Sequence, residues 1–265
     1  MAILEIQALT RRFGEQTAVD ALNLSVEAGE IFGLLGPNGA GKTTTLKMLT
    51  TLLPPSSGTA LVAGFDIATR AAEVRRVIGY VPQLLSADGT LTGRENLSLF
   101  AKLYDVPRAE RQKRIDDALN FMGIADVAGK LVNQYSGGMI RRLEIGQAML
   151  HRPPMLFLDE PTVGLDPLAR EAVWERISRL RDEFGTTVLF TTHLMEEADA
   201  LCTRVAIMHR GRIAALGSPA ELKNSLGQPG ATLDDVFTHY AGDTPDSGGT
   251  YRDTARARRN AQRLG

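Results

Sequence analysis

Hydrophobic and polar positions along this 265-residue chain fall into three successive regimes. Over residues 3–83, short apolar runs alternate with turns. Met1–Ile6 alternates with a period of two, Glu30–Leu35 reads as a short buried strand, and Gly58–Gly64 and Val77–Val81 are further strand candidates. Thr44–Leu49 reads as the first turns of a helix between two of them. From Thr92 to about Leu150 the pattern becomes helical, with Leu97, Phe100, Ala101 and Tyr104 on one face and Ile115, Ala118, Leu119 and Met122 on another. Strands return at Met155–Asp159 and Thr187–Thr192, separated by the helical stretch Leu168–Phe184, which is the spacing of parallel βαβ units. After Pro219 come a short helix and the segment Thr232–Tyr240. The pattern predicts an α/β fold in which a sheet-rich N-terminal part precedes a mainly parallel sheet. A helical subdomain, about residues 85–150, is inserted between strands, and no internal repeat is found.

Composition narrows the partners. A net charge of −1 and a pI near 6.4 create no basic field, so nucleic acid is not an implied partner. One cysteine, Cys202, excludes an internal disulfide and suits a reducing compartment. The N-terminal residues lack the three regions of a signal peptide, and no window of about 18 uncharged apolar residues exists, so a membrane role is expected to come through a partner chain.

The chemistry begins at Gly36-Pro37-Asn38-Gly39-Ala40-Gly41-Lys42-Thr43-Thr44, which matches G-x-x-x-x-G-K-[ST] at every fixed position and sits between a strand and a helix. Its glycines let successive backbone N–H groups face one concavity, where the helix N-terminus favours phosphate oxygens. Lys42 is expected to reach the β- and γ-phosphates of a nucleotide triphosphate, and Thr43 to ligate Mg²⁺. A Gly-rich turn alone would carry little weight, but the Lys-Thr pair in register does.

A second group lies at strand ends. The apolar run Met155–Leu158 delivers Asp159 and Glu160 to the carboxyl edge of the sheet, where such folds bind ligands. Asp159 is expected on the metal side and Glu160 as the general base that polarises the attacking water. Strand-terminal acids that merely cap the turn at Pro161 are the bland alternative. His193 ends the strand Val188–Thr192 and is a candidate to hold the γ-phosphate and water in line; a lone histidine there is more often simply solvated. Gln83 follows Val77–Val81 and can offer its amide to metal or water, although by itself it is an ordinary loop residue.

Together these residues resemble the ATP-binding subunit of ABC transporters, over about residues 3–240, which implies a P-loop NTPase core with a mainly parallel sheet, an N-terminal antiparallel β-subdomain and an inserted α-helical subdomain. Tyr135-Ser136-Gly137-Gly138-Met139 is similar to the family signature and Gly164-Leu165-Asp166 to the loop that contacts the opposite subunit. The resemblance makes His193 the switch histidine, Gln83 the lever-loop glutamine and Phe13 the aromatic that stacks on adenine. It implies ATP and Mg²⁺ as cofactors and a head-to-tail dimer in which Ser136, Gly137 and Gly138, at the start of a helix over Met139–Leu150, meet the γ-phosphate held by a second copy. Tyr135 and Met139 stand where leucine and glutamine are usual, which puts a glutamine contact to the nucleotide sugar in doubt.

The stretch from Thr191 to Cys202, then Arg204–Ile207 and Thr232–Phe237, resembles the exporter subfamily typified by daunorubicin-resistance ATP-binding proteins. That implies two copies joined to separate permease subunits at the cytoplasmic face of the membrane, moving a drug, antibiotic, lipid or similar amphipathic substrate. Soluble ABC ATPases acting on ribosomes or DNA share the motifs; most carry two cassettes or a long coiled-coil insertion, and this chain has neither. Residues 241–265 form a tail whose last part holds five arginines against one acid, expected to be a solvated end or a contact with anionic lipid or the permease.

Overall fold

The computed structural model describes residues 1–242 of the chain. Two sheets organise it. Strands β1 (Ala2–Phe13) and β2 (Gln16–Glu27) form a long hairpin, followed by β3 (Ile31–Leu35), helix α1 (Lys42–Leu49), β4 (Ser57–Val62), β5 (Phe65–Asp66), α2 (Ala71–Val77) and β6 (Ile78–Val81). Helices α3 (Gly93–Leu103), α4 (Arg108–Phe121) and α5 (Gly137–Met149) then intervene before β7 (Met155–Asp159), α6 (Pro167–Phe184) and β8 (Thr187–Thr192). The described chain ends with α7 (Met195–Leu201), the hairpin β9 (Arg204–His209) and β10 (Arg212–Gly217), α8 (Pro219–Ser225) and α9 (Leu233–Ala241).

One sheet is antiparallel, in the order β2-β1-β4-β5; the other runs β10-β9-β3-β8-β7-β6, parallel except for the β9–β10 hairpin at its edge. The fold is therefore an α/β P-loop core with an antiparallel N-terminal sheet and a helical insertion. Continuous apolar runs in β3, β7 and β8 follow from burial on both faces. Ile31, Leu156, Leu158, Val188 and Phe190 pack toward the inserted helices, while the alternate residues Phe32, Leu34, Phe157 and Leu189 pack toward α1 and the antiparallel sheet. Each fully buried Phe or Leu of this kind contributes roughly 1.5–3 kcal/mol. A third, smaller cluster seats α7 and α9 on β9 through Met195, Ala198, Val205, Ile207 and Val236.

Several boundaries move from the sequence reading. Val77 closes helix α2 instead of opening a strand; that helix has seven residues with only Val74 buried, too short to display a helical period. The β9–β10 hairpin was not foreseen either. Helix α5 starts at Gly137, two residues earlier than expected, because Ser136 caps it by accepting the Met139 N–H at 3.3 Å. Within the insertion, Tyr135 is buried and its hydroxyl donates to the Val127 carbonyl at 2.7 Å, so the residue that departs from the family signature anchors the loop ahead of α5. Residues 243–265, which hold almost all of the expected basic tail, lie outside the described residues.

Candidate active site

The parallel ladder brings three strand ends to one edge. β3 pairs with β8 and β8 with β7, so that the phosphate loop, Asp159 and Thr191–Thr192 emerge side by side. Gly41, just before α1, has φ 105 and lies so close to the Ala18 carbonyl that a Cβ would strike it, which demands glycine twice over. The loop borders a cleft of about 590 Å³ lined by Phe13, the stretch from Pro37 to Thr44, Gln83 and Glu160. Gln16, Thr17, Ala18, Arg210 and Gly211 complete its walls. None of these last five was singled out from sequence, since they carry no motif. Gly211 is pinned there because its N–H donates to the Ala40 carbonyl of the phosphate loop at 3.0 Å.

Asp159 is 1% exposed and accepts hydrogen bonds at one oxygen, Oδ1, from Thr43 at 3.0 Å and Thr191 at 2.6 Å. The Thr191 hydroxyl in turn accepts the backbone N–H of Glu160 at 2.9 Å. Thr191 therefore positions both acids, although in the sequence it is one of three threonines in its strand and nothing local sets it apart. Glu160 adopts φ 47, an uncommon left-handed conformation for a residue with a side chain, of the kind found at functional sites. That turn carries its carboxylate to Lys42 at 3.5 Å, to the Gln83 amide nitrogen at 3.3 Å and to within 3.3 Å of His193 Nδ1. The histidine contact lacks hydrogen-bond alignment.

Lys42 is 4% exposed, and its ammonium also donates to the carbonyls of Gly36 at 2.8 Å and Pro37 at 3.1 Å. Burial pushes its pKa below the ordinary lysine value, while the charges of Glu160 and Asp159 pull it back up. Burial, reinforced by the charge of Asp159, also raises the phenol of Tyr80 on the neighbouring strand to about 12. Among the described residues no three Asp, Glu, His or Cys side chains gather into a metal cage. Thr43 and Asp159 instead offer hard oxygens 3.0 Å apart beside the phosphate loop, the sparse donor set that suits Mg²⁺ shared with substrate phosphates.

Phe13 is 47% exposed on the cleft wall, with the Arg11 guanidinium 4.7 Å from its ring centroid. Ser136, Gly137, Gly138 and Asp166 do not line the cleft. Asp166 caps α6 by accepting the Ala169 N–H at 2.9 Å. Gly138 is buried against α6, where an added Cβ would lie 2.7 Å from the Ala169 Cβ, so this signature glycine has a packing duty within its own chain. Gly138→Ala is expected to lose about 1–3 kcal/mol to overpacking, more than the roughly 1 kcal/mol that alanine gains over glycine in a helix. Urea unfolding of the full chain measures the balance; a higher midpoint for the variant would mean that α5 and α6 have slack.

Comparison with known proteins agrees with this geometry. The pattern of the ABC transporter family matches residues 19–163. The chain is 45% identical over 224 residues to the daunorubicin/doxorubicin resistance ATP-binding protein DrrA of Streptomyces peucetius, covering 84% of this chain and 68% of that protein. It is 44% identical over 220 residues to the Nod factor export ATP-binding protein I of Ralstonia nicotianae, covering 83% and 68%. Among solved structures it superposes with a TM-score of 0.72 and 27% identity on an ATP-binding cassette in a dimeric post-hydrolysis state with ADP and Pi, covering 81% of this chain and 98% of that one. With the family pattern matching more than half of its length and the ABC ATPase fold in common, the chain belongs to the ABC transporter family and is one of its ATP-binding, ATP-hydrolysing proteins.

Proposed function

We propose that this chain powers an exporter: two copies close head-to-tail over two ATP molecules, and hydrolysis reopens them to drive separate permease subunits at the cytoplasmic face of the membrane. The observation that carries this reading is the separation of the motifs. Ser136 and Gly137 sit exposed at the N-terminus of α5, away from the cleft that holds Lys42, Thr43 and Glu160. An exposed helix N-terminus with small residues is shaped to receive phosphate from outside its own chain. The dimeric ADP-bound cassette supports pairing, and the export function in the name of the Ralstonia relative supports the direction. No helix among the described residues is long and apolar enough to cross a membrane, which fits a permease on another chain. The cargo is expected to be a drug, antibiotic, lipid or comparable amphipathic molecule.

Within one site, the backbone of Gly36, Pro37, Asn38, Gly39, Ala40, Gly41 and Thr44 cradles the phosphates and Lys42 neutralises the β- and γ-groups. Thr43 and Asp159, with Gln83, hold Mg²⁺, which supplies charge neutralisation on the phosphate oxygens. Glu160 orients water and takes its proton, and His193 and Gln83 fix Glu160 in line. Phe13 stacks on adenine. Ser136, Gly137, Gly138 and Asp166 act across the interface on the nucleotide of the second copy. Residues 1–240 form the ATPase unit in this reading, and the basic tail beyond it meets the anionic membrane surface or the permease.

Phe13→Ala is expected to weaken ATP binding by about 1–3 kcal/mol through lost stacking, read by titration with a fluorescent ATP analogue; unchanged affinity would remove Phe13 from the site. Glu160→Gln is expected to bind ATP normally, stop turnover and accumulate a dimer on size exclusion with ATP and Mg²⁺. Hydrolysis near the wild-type rate would show that Glu160 is not the base.

A further inference from the structure

Helix α5 carries three polar side chains, Arg141, Glu144 and Gln147, spaced i, i+3 and i+6 along one face, and each is only 2% exposed. Arg141 donates to the carbonyls of Pro82 at 2.7 Å and Gln83 at 2.8 Å, and to Glu144 at 3.1 Å. Glu144 accepts the N–H of Ser86, its hydroxyl at 3.1 Å, and the N–H of Ala87 at 3.2 Å. Gln147 donates at 3.3 Å to Asn96 of α3, and that amide both accepts the Asp88 N–H and donates to the Asp88 carbonyl, at 3.0 Å each. The segment from Pro82 to Asp88 is thus fastened to two helices almost residue by residue.

Stability alone does not account for this stripe. A buried ion pair usually contributes no more than apolar residues of similar volume, because desolvation offsets the attraction. The backbone groups it serves belong to a segment that is mostly exposed, where water would satisfy them equally well. What the side chains add is fixed placement. The residue placed is Gln83, whose carbonyl is held by Arg141 while its side chain reaches Glu160 at 3.3 Å.

We propose that Arg141 and Glu144 are positioning residues for hydrolysis: they lock the Gln83 segment to α5, so that the helix bearing Ser136 and Gly137 sets where Gln83 meets Glu160. The idea rests on the reading of Glu160 as the base. It makes the surface offered to the second copy's nucleotide and the catalytic edge of this chain's own cleft mechanically one piece, since a displacement at the start of α5 moves Arg141, and with it Gln83, as a unit. Neither residue lines the cleft, so both act through Gln83.

The test is a cycle on the full-length chain. Arg141→Met combined with Glu144→Leu removes both charges at similar volume and leaves no unpaired buried ion. This variant is expected to keep its unfolding midpoint and its affinity for ATP within twofold, while kcat falls about tenfold or more, the scale of a small misplacement at a reacting centre. In a Gln83→Ala background the same pair of changes is expected to cost less than twofold, because the route through Gln83 is already cut. Arg141→Lys, which keeps the charge beside Glu144 but loses the two-pronged hold on the carbonyls, is expected to show a smaller loss of the same kind. It carries the test alone if the double variant does not fold. An equal loss in both backgrounds, or an unchanged kcat in the folded variant, would overturn the proposal. Glu160→Gln assayed beside them separates the two claims: if it turns over freely, the base assignment fails, whereas the comparison of Gln83 backgrounds still decides the clamp.

Discussion

Everything at this site is hung on one buried carboxylate. Asp159 ends β7 almost wholly removed from water, and an ionised acid tolerates such a position only when its lone pairs are engaged. Thr43 from the phosphate loop and Thr191 from β8 engage it, which ties three neighbouring strand ends to one atom. Through Thr191 the same knot fixes the backbone of Glu160 in its left-handed turn. A looser loop would leave a charge buried and unpaired, so the geometry of the phosphate loop and that of the acid pair are not independent choices.

Lys42 and Glu160 face each other within that knot as a buried cation and anion. Burial favours a neutral lysine, and the adjacent carboxylates favour the charged one. The lysine therefore depends on the acids to keep its charge in the buried site. This economy explains why the site draws its parts from β3, α1, β6, β7 and β8: a single element cannot supply opposite charges and a cradle of N–H groups at one point.

Much of this was legible in the chain because the chemistry is coded locally. The phosphate loop, Asp159 and Glu160 sit in contiguous stretches whose flanking apolar runs announce strand and helix. Strands β7 and β8 matched their expected limits because runs buried on both faces leave little ambiguity. What stayed hidden depends on partners distant in sequence. Thr191 is an unremarkable strand residue until Asp159 is set beside it. Arg141 and Glu144 read as charges on a helix of weak amphipathicity, and only the approach of Pro82–Ala87, some 58 residues away along the chain, reveals why they are buried. Gly138 looked purely like a signature glycine, yet its contact with Ala169 is a packing constraint.

Because Ser136 and Gly137 stand apart from the cleft, the function we propose requires two chains at every working ATP site. The rate of ATP hydrolysis per chain, measured over a wide range of protein concentration with Mg²⁺ and saturating ATP, tests it most directly. Specific activity is expected to climb with concentration and level off once dimers dominate. A specific activity that is constant down to concentrations at which the protein is shown to be monomeric would contradict it.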